Sequence, residues 1–177
     1  MTNHFHHTNC GCVPKLSRRG LLGVGFAGAI VKAFPALAEG GAYEAMLMNC
    51  IDPRFTTNSW VYMAGRGMKD RYSQFVIAGG PIGAVAPVFS KWHDSFWENL
   101  AITVQLHDIK RVVGLTHRDC GAAVVAYGDR IKTDPAFETA KHTEALQSFR
   151  AGVNQRQPKL AVDTGIMSLD GKVEVIS

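Results

Sequence analysis

An α/β fold, with a mainly parallel central sheet flanked by helices and closed by a C-terminal hairpin, is what this sequence predicts. Three observations carry the prediction. The short apolar runs Ala45 to Ile51, Gln74 to Ala78 and Val112 to Leu115 read as strands buried on both faces. They alternate with longer segments of helical spacing, the pattern of right-handed crossovers. Residues with metal-ligand chemistry stand at the C-terminal ends of two of these runs, where such sheets bind ligands.

The first 38 residues stand apart. They hold Lys15, Arg18, Arg19 and Lys32 and no acidic residue, so the net charge of +4 belongs to them. The rest of the 177-residue chain has fifteen basic and fifteen acidic residues, a balance that gives no reason to expect a nucleic-acid partner. A polar, basic start, the apolar run Leu21 to Val31 and the small-residue site Ala36-Leu37-Ala38 form the three parts of a cleavable export signal. Ser17-Arg18-Arg19 followed by Gly20-Leu21-Leu22 resembles a twin-arginine signal, which implies the twin-arginine export machinery as a partner and a periplasmic or otherwise exported destination. Eleven apolar residues fall short of the roughly 20 that span a bilayer. The tract His4, His6, His7, Cys10 and Cys12 lies in this leader and reads as part of a disordered start that cleavage removes. One domain, residues 39–177, remains.

Within it, Ala45 to Ile51 is a strand that Pro53 ends, and proline keeps Asp52 extended at the tip. Thr56 to Lys69, with Trp60, Met63 and Met68, reads as a helix. Gln74 to Ala78 is a strand ending at Gly79-Gly80-Pro81, where a turn is nearly forced. Asp94 to Leu106 places Phe96, Leu100, Thr103 and Val104 at helical spacing, with Asp94 or Ser95 as cap. Trp92, Phe96 and Trp97 read as core or interface. Val112 to Leu115 runs into His117, and a short helix starts at Gly121. Pro135 to Val153 is an amphipathic helix with proline in its first turn, and His142 in it reads as a surface or packing residue. Leu160 to Met167 and Lys172 to Ile176 flank the turn signal Asp170-Gly171.

With the leader removed, only Cys50 and Cys120 remain of the four cysteines. In an exported protein two cysteines suggest a disulfide. The flanking His117, Asp52 and Arg54 favour metal binding, because a staple needs none of them. Two thiolates and an imidazole suit tetrahedral Zn²⁺ and leave a fourth position open to water, whose pKa zinc lowers. Side chains repeat every two residues along an extended segment, so Cys50 and Asp52 share a side. Asp52 reaches either the metal, as a fourth ligand in a closed state, or the water beside it. Arg54, just past the turn, is placed to grip Asp52 with a bidentate contact.

The motifs Cys50-x-Asp52-x-Arg54 and His117-x-x-Cys120-Gly121, in this order and with a strand and helix between them, resemble those of the β-class carbonic anhydrases. The resemblance covers most of residues 39–177 and is that of a compact branch. It implies a β-carbonic-anhydrase-like sheet assembled as a homodimer or higher oligomer, zinc on Cys50, His117 and Cys120, and a catalytic pair Asp52 and Arg54. The implied reaction is reversible hydration of carbon dioxide to bicarbonate and a proton. The family commonly has Arg-Asn before the Ala-Gly of its second strand, whereas Val76-Ile77 precede Ala78-Gly79 here; Pro53 replaces a small residue. Hydrolysis of carbonyl sulfide or carbon disulfide, or a non-catalytic zinc-binding module, are the alternatives on the same scaffold.

Overall fold

The computed structural model describes residues 43–177. Among them, five strands form one sheet in the order β2-β1-β3-β4-β5: β1 Ala45–Asn49, β2 Tyr72–Val76, β3 Arg111–His117, β4 Ala161–Met167 and β5 Val173–Ile176. The first three interstrand pairings are parallel, and only β4 and β5 run antiparallel. All five residues of β1 are buried, as its unbroken apolar run requires of a strand covered on both faces. Among the described residues no helix is long and apolar enough to cross a membrane. The leader, its cleavage site and its His/Cys tract lie outside the described residues.

Helices cover both faces. On one, α1 (Thr56–Gly65) packs Met63 with Leu47, Val113, Leu115 and Met167. On the other, α3 (Ser90–His107) and α6 (Pro135–Arg156) bring Phe96, Leu100, Phe149 and Val153 against Met46, Met48, Val112 and Val162. The short helices α2 (Pro81–Val85), α4 (Gly121–Tyr127) and α5 (Arg130–Thr133) gather near the C-terminal edge of the sheet. Their residues Ile82, Ala123 and Ile131 form a third cluster with Cys50 and Cys120.

Several expected boundaries move, each for a local reason. The first helix ends at Gly65 rather than Lys69. Gly67 takes φ +74°, its N–H bonds to the Ala64 carbonyl and that of Met68 to Met63, so a Schellman turn stops the helix and buries Met68. β2 ends at Val76, because the Gly80 N–H bonds back to the Ile77 carbonyl and opens the turn there. Helix α3 begins at Ser90, one turn before the expected Asp94, after a 3-10 turn over Pro87–Phe89. Neither Asp94 nor Ser95 caps it, since both lie inside it. The helix α2 is an addition: Pro81 at its first position follows two glycines that read as turn only. Asp134 does cap α6, accepting a bond from the Phe137 N–H at 2.9 Å. Phe96 is core, Trp97 packs against Phe96 and Phe149, and Trp92 stacks on Phe89 at the surface.

Two contacts under α6 show how tightly it sits. A Cβ on Gly114 of β3 would stand 2.7 Å from the fully buried Phe149 ring. Replacing Gly114 with Val is therefore expected to overpack the site and cost about 1–3 kcal/mol, read as a lowered denaturation midpoint. His142 is fully buried and neither ring nitrogen has a hydrogen-bond partner, so packing rather than surface is its setting. Burial, aided by the nearby charges of Arg118 and His117, pushes its pKa down from 6.5 to about 4. The unfolded chain then takes up this proton first as pH falls. The resulting loss of stability begins below pH 6.5 and levels off below about 4, reaching on the order of 3 kcal/mol. His142→Leu should remove this part of the slope in denaturant unfolding between pH 7 and 4.

Candidate metal centre

Parallel pairing of β1 with β3 puts the C-terminal ends of both strands at one edge. Cys50 follows β1 directly, His117 is the last residue of β3, and Cys120 immediately precedes α4. Their ligand atoms all lie within 4.8 Å of one another. A tetrahedral zinc with bonds of 2.0–2.3 Å needs ligand atoms about 3.5–3.8 Å apart, so the three side chains stand close to a coordination sphere. All three are buried, at 8% exposure for Cys50, 2% for His117 and 3% for Cys120. Both cysteines are free thiols.

The imidazole is already set for a metal. Its Nδ1 lies 2.9 Å from the Arg118 carbonyl, and since a carbonyl only accepts, Nδ1 carries the proton. Nε2 keeps its lone pair and is buried without a partner. An orphaned acceptor beside two thiols has the chemistry of a ligand, and the carbonyl supplies the orienting bond that metal-bound histidines use. Phe55 stacks on the ring with centroids 4.1 Å apart and fixes its plane.

The cysteines are electrostatically unequal. Cys50 is pulled well below the ordinary thiol range by the Cys120 thiol donating to it, against the cost of burial, and by the nearby His117 ring and the backbone N–H groups of Asp52 and Gly79. The Gly79 N–H stands 3.2 Å from the Cys50 Sγ. Cys120 moves up, mainly because it holds the shared proton against Cys50 and because it is buried, although the Ala123 and Ala122 N–H groups at the start of α4 oppose this. Burial opposes the charged form of His117, but the neighbouring Cys50 and the Arg118 carbonyl that accepts its Nδ1–H outweigh it and raise its pKa.

Asp52 is extended, as proline after it requires, with φ −61° and ψ 119°. Arg54 grips it: Nε donates to both carboxylate oxygens at 3.1 Å and Nη2 to Oδ2 at 2.7 Å. Held this way, Asp52 has a pKa of about 2, lowered chiefly by the Arg54 side chain. The expected bidentate pair is present. Cys50, Ile51, Asp52, Pro53, Ala78, Gly121 and Ala122 line a cavity of about 320 Å³. Its walls are mostly apolar. Val76 and Ile77 contribute nothing to that lining; Val76 is exposed and Ile77 packs against the core.

Arg118 and Asp119, inside the second motif, read from the sequence as residues around the site or at the surface, and the structure gives both specific partners. Asp119 accepts a bond from Arg54 Nη1 at 2.8 Å, and its own N–H donates to Glu138 at 2.9 Å. Glu138 also receives Arg118, which reaches on to Glu174 of β5. Asp119 sits at φ +56°, a left-handed conformation that no local sequence signal announces.

Comparison with known proteins agrees with this picture at the level of fold. No model of a protein family matches the chain. An uncharacterized protein of Rickettsia conorii is 30% identical over 133 residues, 75% of this chain and 72% of the relative. One of Rickettsia bellii is 29% identical over 133 residues, covering 75% and 81%. Among solved structures, β-carbonic anhydrase isoform I of Trichomonas vaginalis superposes with a TM-score of 0.52 at 12% identity, over 76% of this chain and 82% of its own. The fold is thus that of a β-carbonic anhydrase, with a Cys-His-Cys cluster capable of holding a metal ion.

Metal analysis of purified protein should find one zinc per chain. Cys50→Ser and Cys120→Ser are each expected to lower that content severalfold or more, since a missing thiolate breaks the sphere; zinc retained in either variant would point to other ligands.

Proposed function

Since this chain belongs to the same family as the Rickettsia conorii protein and has the fold of a β-carbonic anhydrase, we propose that it is a carbonic anhydrase. The reaction is reversible hydration of carbon dioxide to bicarbonate and a proton, at a zinc ion held by Cys50, His117 and Cys120. One observation carries the reading: a buried Cys-His-Cys cluster with an unpartnered His117 Nε2 meets, through Cys50, a mostly apolar cavity in which Asp52 is the ionised group. Bound zinc would supply Lewis acidity that makes water nucleophilic near neutral pH.

The residues of the chain divide the remaining work. With a pKa of about 2, Asp52 is a weak base at neutral pH and an acceptor only. Its part is to accept a hydrogen bond from the reacting water and turn the oxygen lone pair toward the cavity. Arg54 keeps Asp52 ionised and aimed, its own pKa raised by the same contacts. Pro53, Ala78 and Ala122 present apolar walls that suit a linear, uncharged triatomic substrate.

Those walls also favour a second reading, hydrolysis of carbonyl sulfide or carbon disulfide, because no polar residue from the 76–78 segment lines the cavity. From the resemblance in sequence, we read the active form as a homodimer or higher oligomer. From the leader, we read delivery by the twin-arginine machinery to the periplasm or another exported location.

Stopped-flow measurement on zinc-loaded protein tests the chemistry. Carbon dioxide hydration should exceed that of Cys50→Ser, while Asp52→Asn should lose about 10- to 100-fold in kcat/KM. A rate equal to the Cys50→Ser background sinks the carbonic anhydrase reading. Turnover of carbonyl sulfide alone would select the second.

A further inference from the structure

Arg54 serves two carboxylates, and only one of them belongs to its own motif. Three of its contacts go to Asp52, two residues away. Two more cross to the other ligand loop: Nη1 donates to Asp119 Oδ2 at 2.8 Å and Nη2 to the Asp119 carbonyl at 3.1 Å. The guanidinium therefore ties the segment bearing Cys50 to the segment bearing His117 and Cys120. Asp119 holds its end in a left-handed conformation, φ +56°, and Glu138 anchors its N–H. Asp and Asn are among the few residues that enter this region readily, through their short polar side chains.

We propose that Asp119 is a positioning residue that, through Arg54, keeps the Asp52 carboxylate directed into the cavity and away from the metal. The inference rests on the metal-centre reading above. Without the Asp119 carboxylate, Arg54 loses its 2.8 Å ion pair across the loops and keeps only the longer bond to the residue-119 carbonyl, so the Arg54–Asp52 pair is freer to swing as a unit. Asp52 then reaches the fourth metal position and closes it. The side chains of Arg54 and Asp119 are 48% and 66% exposed, so their pairing adds little to stability. Its effect belongs to geometry, and a change in coordination without a change in folding is its signature.

The variants must respect the backbone. Alanine at φ +56° would strain the loop, whereas glycine accepts that conformation and asparagine tolerates it. Asp119→Gly removes the side chain; Asp119→Asn keeps its shape and one weaker acceptor. The full protein is loaded with Co²⁺, and azide is titrated while the visible spectrum is followed. Azide should perturb the wild-type spectrum. If nine-tenths of Asp119→Gly closes, its apparent azide affinity falls about tenfold, with metal content and thermal midpoint unchanged. Asp119→Asn should lie between. In an Asp52→Asn background, Asp119→Gly should have no further effect, because Asp52 transmits the change.

Equal azide affinity in wild type and Asp119→Gly overturns the positioning role. Loss of metal or of thermal stability in Asp119→Gly and Asp119→Asn alike overturns it too, by making Asp119 a structural support of the ligand loop. If wild-type protein binds no cobalt, the metal-centre reading itself fails, and this outcome is distinct from the other two.

Discussion

Parallel pairing between β1 and β3 is the constraint on which the rest depends. Its register, Ala45 opposite Arg111 through Met48 opposite Gly114, decides that Cys50 and His117 emerge at the same edge. A slip of one residue would send every side chain of β1 to the opposite face. The slip is prevented because both faces of β1 are committed: Leu47 joins Met63 and Val113 on one side, Met46 and Met48 join Phe96 and Phe149 on the other. The chemistry at the edge is thus fixed by hydrophobic packing well inside the domain.

Polar order near the site follows from the same register. Buried Asn49, at the end of β1, accepts a bond from Gln74 of β2 at 3.0 Å. Its backbone carbonyl receives the Ile77 N–H, which carries the chain from β2 toward Gly79 and Gly80. Gly80 lies so close to the Leu115 carbonyl and the Asn49 backbone that a Cβ would meet them at 2.9–3.1 Å. This turn brings the Gly79 N–H onto Cys50, so one strand end supports the thiolate of another.

Much of this was legible in the sequence, because unbroken apolar runs have few alternatives to buried strands. The three runs, the hairpin at Asp170-Gly171, the Pro135 helix and the extended Asp52 all follow from local chemistry, and the structure has them. The convergence of Cys50, His117 and Cys120 was legible only through their motifs, since spacing along the chain says nothing of distance across it. What stayed hidden depends on tertiary context. Asp94 has the composition of a cap, yet the 3-10 turn at Pro87 starts the helix earlier. His142 reads as either a surface or a packing residue, and the stripe of Ala145, Leu146, Phe149 and Val153 that it joins decides for packing. Asp119 reads as one more charge beside a ligand; its left-handed backbone and its hold on Arg54 exist only once two distant loops meet.

The distance in sequence between those loops bears on the order of folding. Arg54 and Asp119 are 65 residues apart, with two strands, helices and the parallel pairing of those strands with β1 between them. Pairings of such separation form late, after local elements have condensed. Ligands drawn from two distant loops differ from those of small zinc fingers, whose ligands lie close together along the chain and whose folding is driven by the metal. The cradle would be built first, by apolar strands that need no metal, and filled afterwards. A chain of this kind would be folded before it is charged, and the compartment in which it folds would decide which ion it receives.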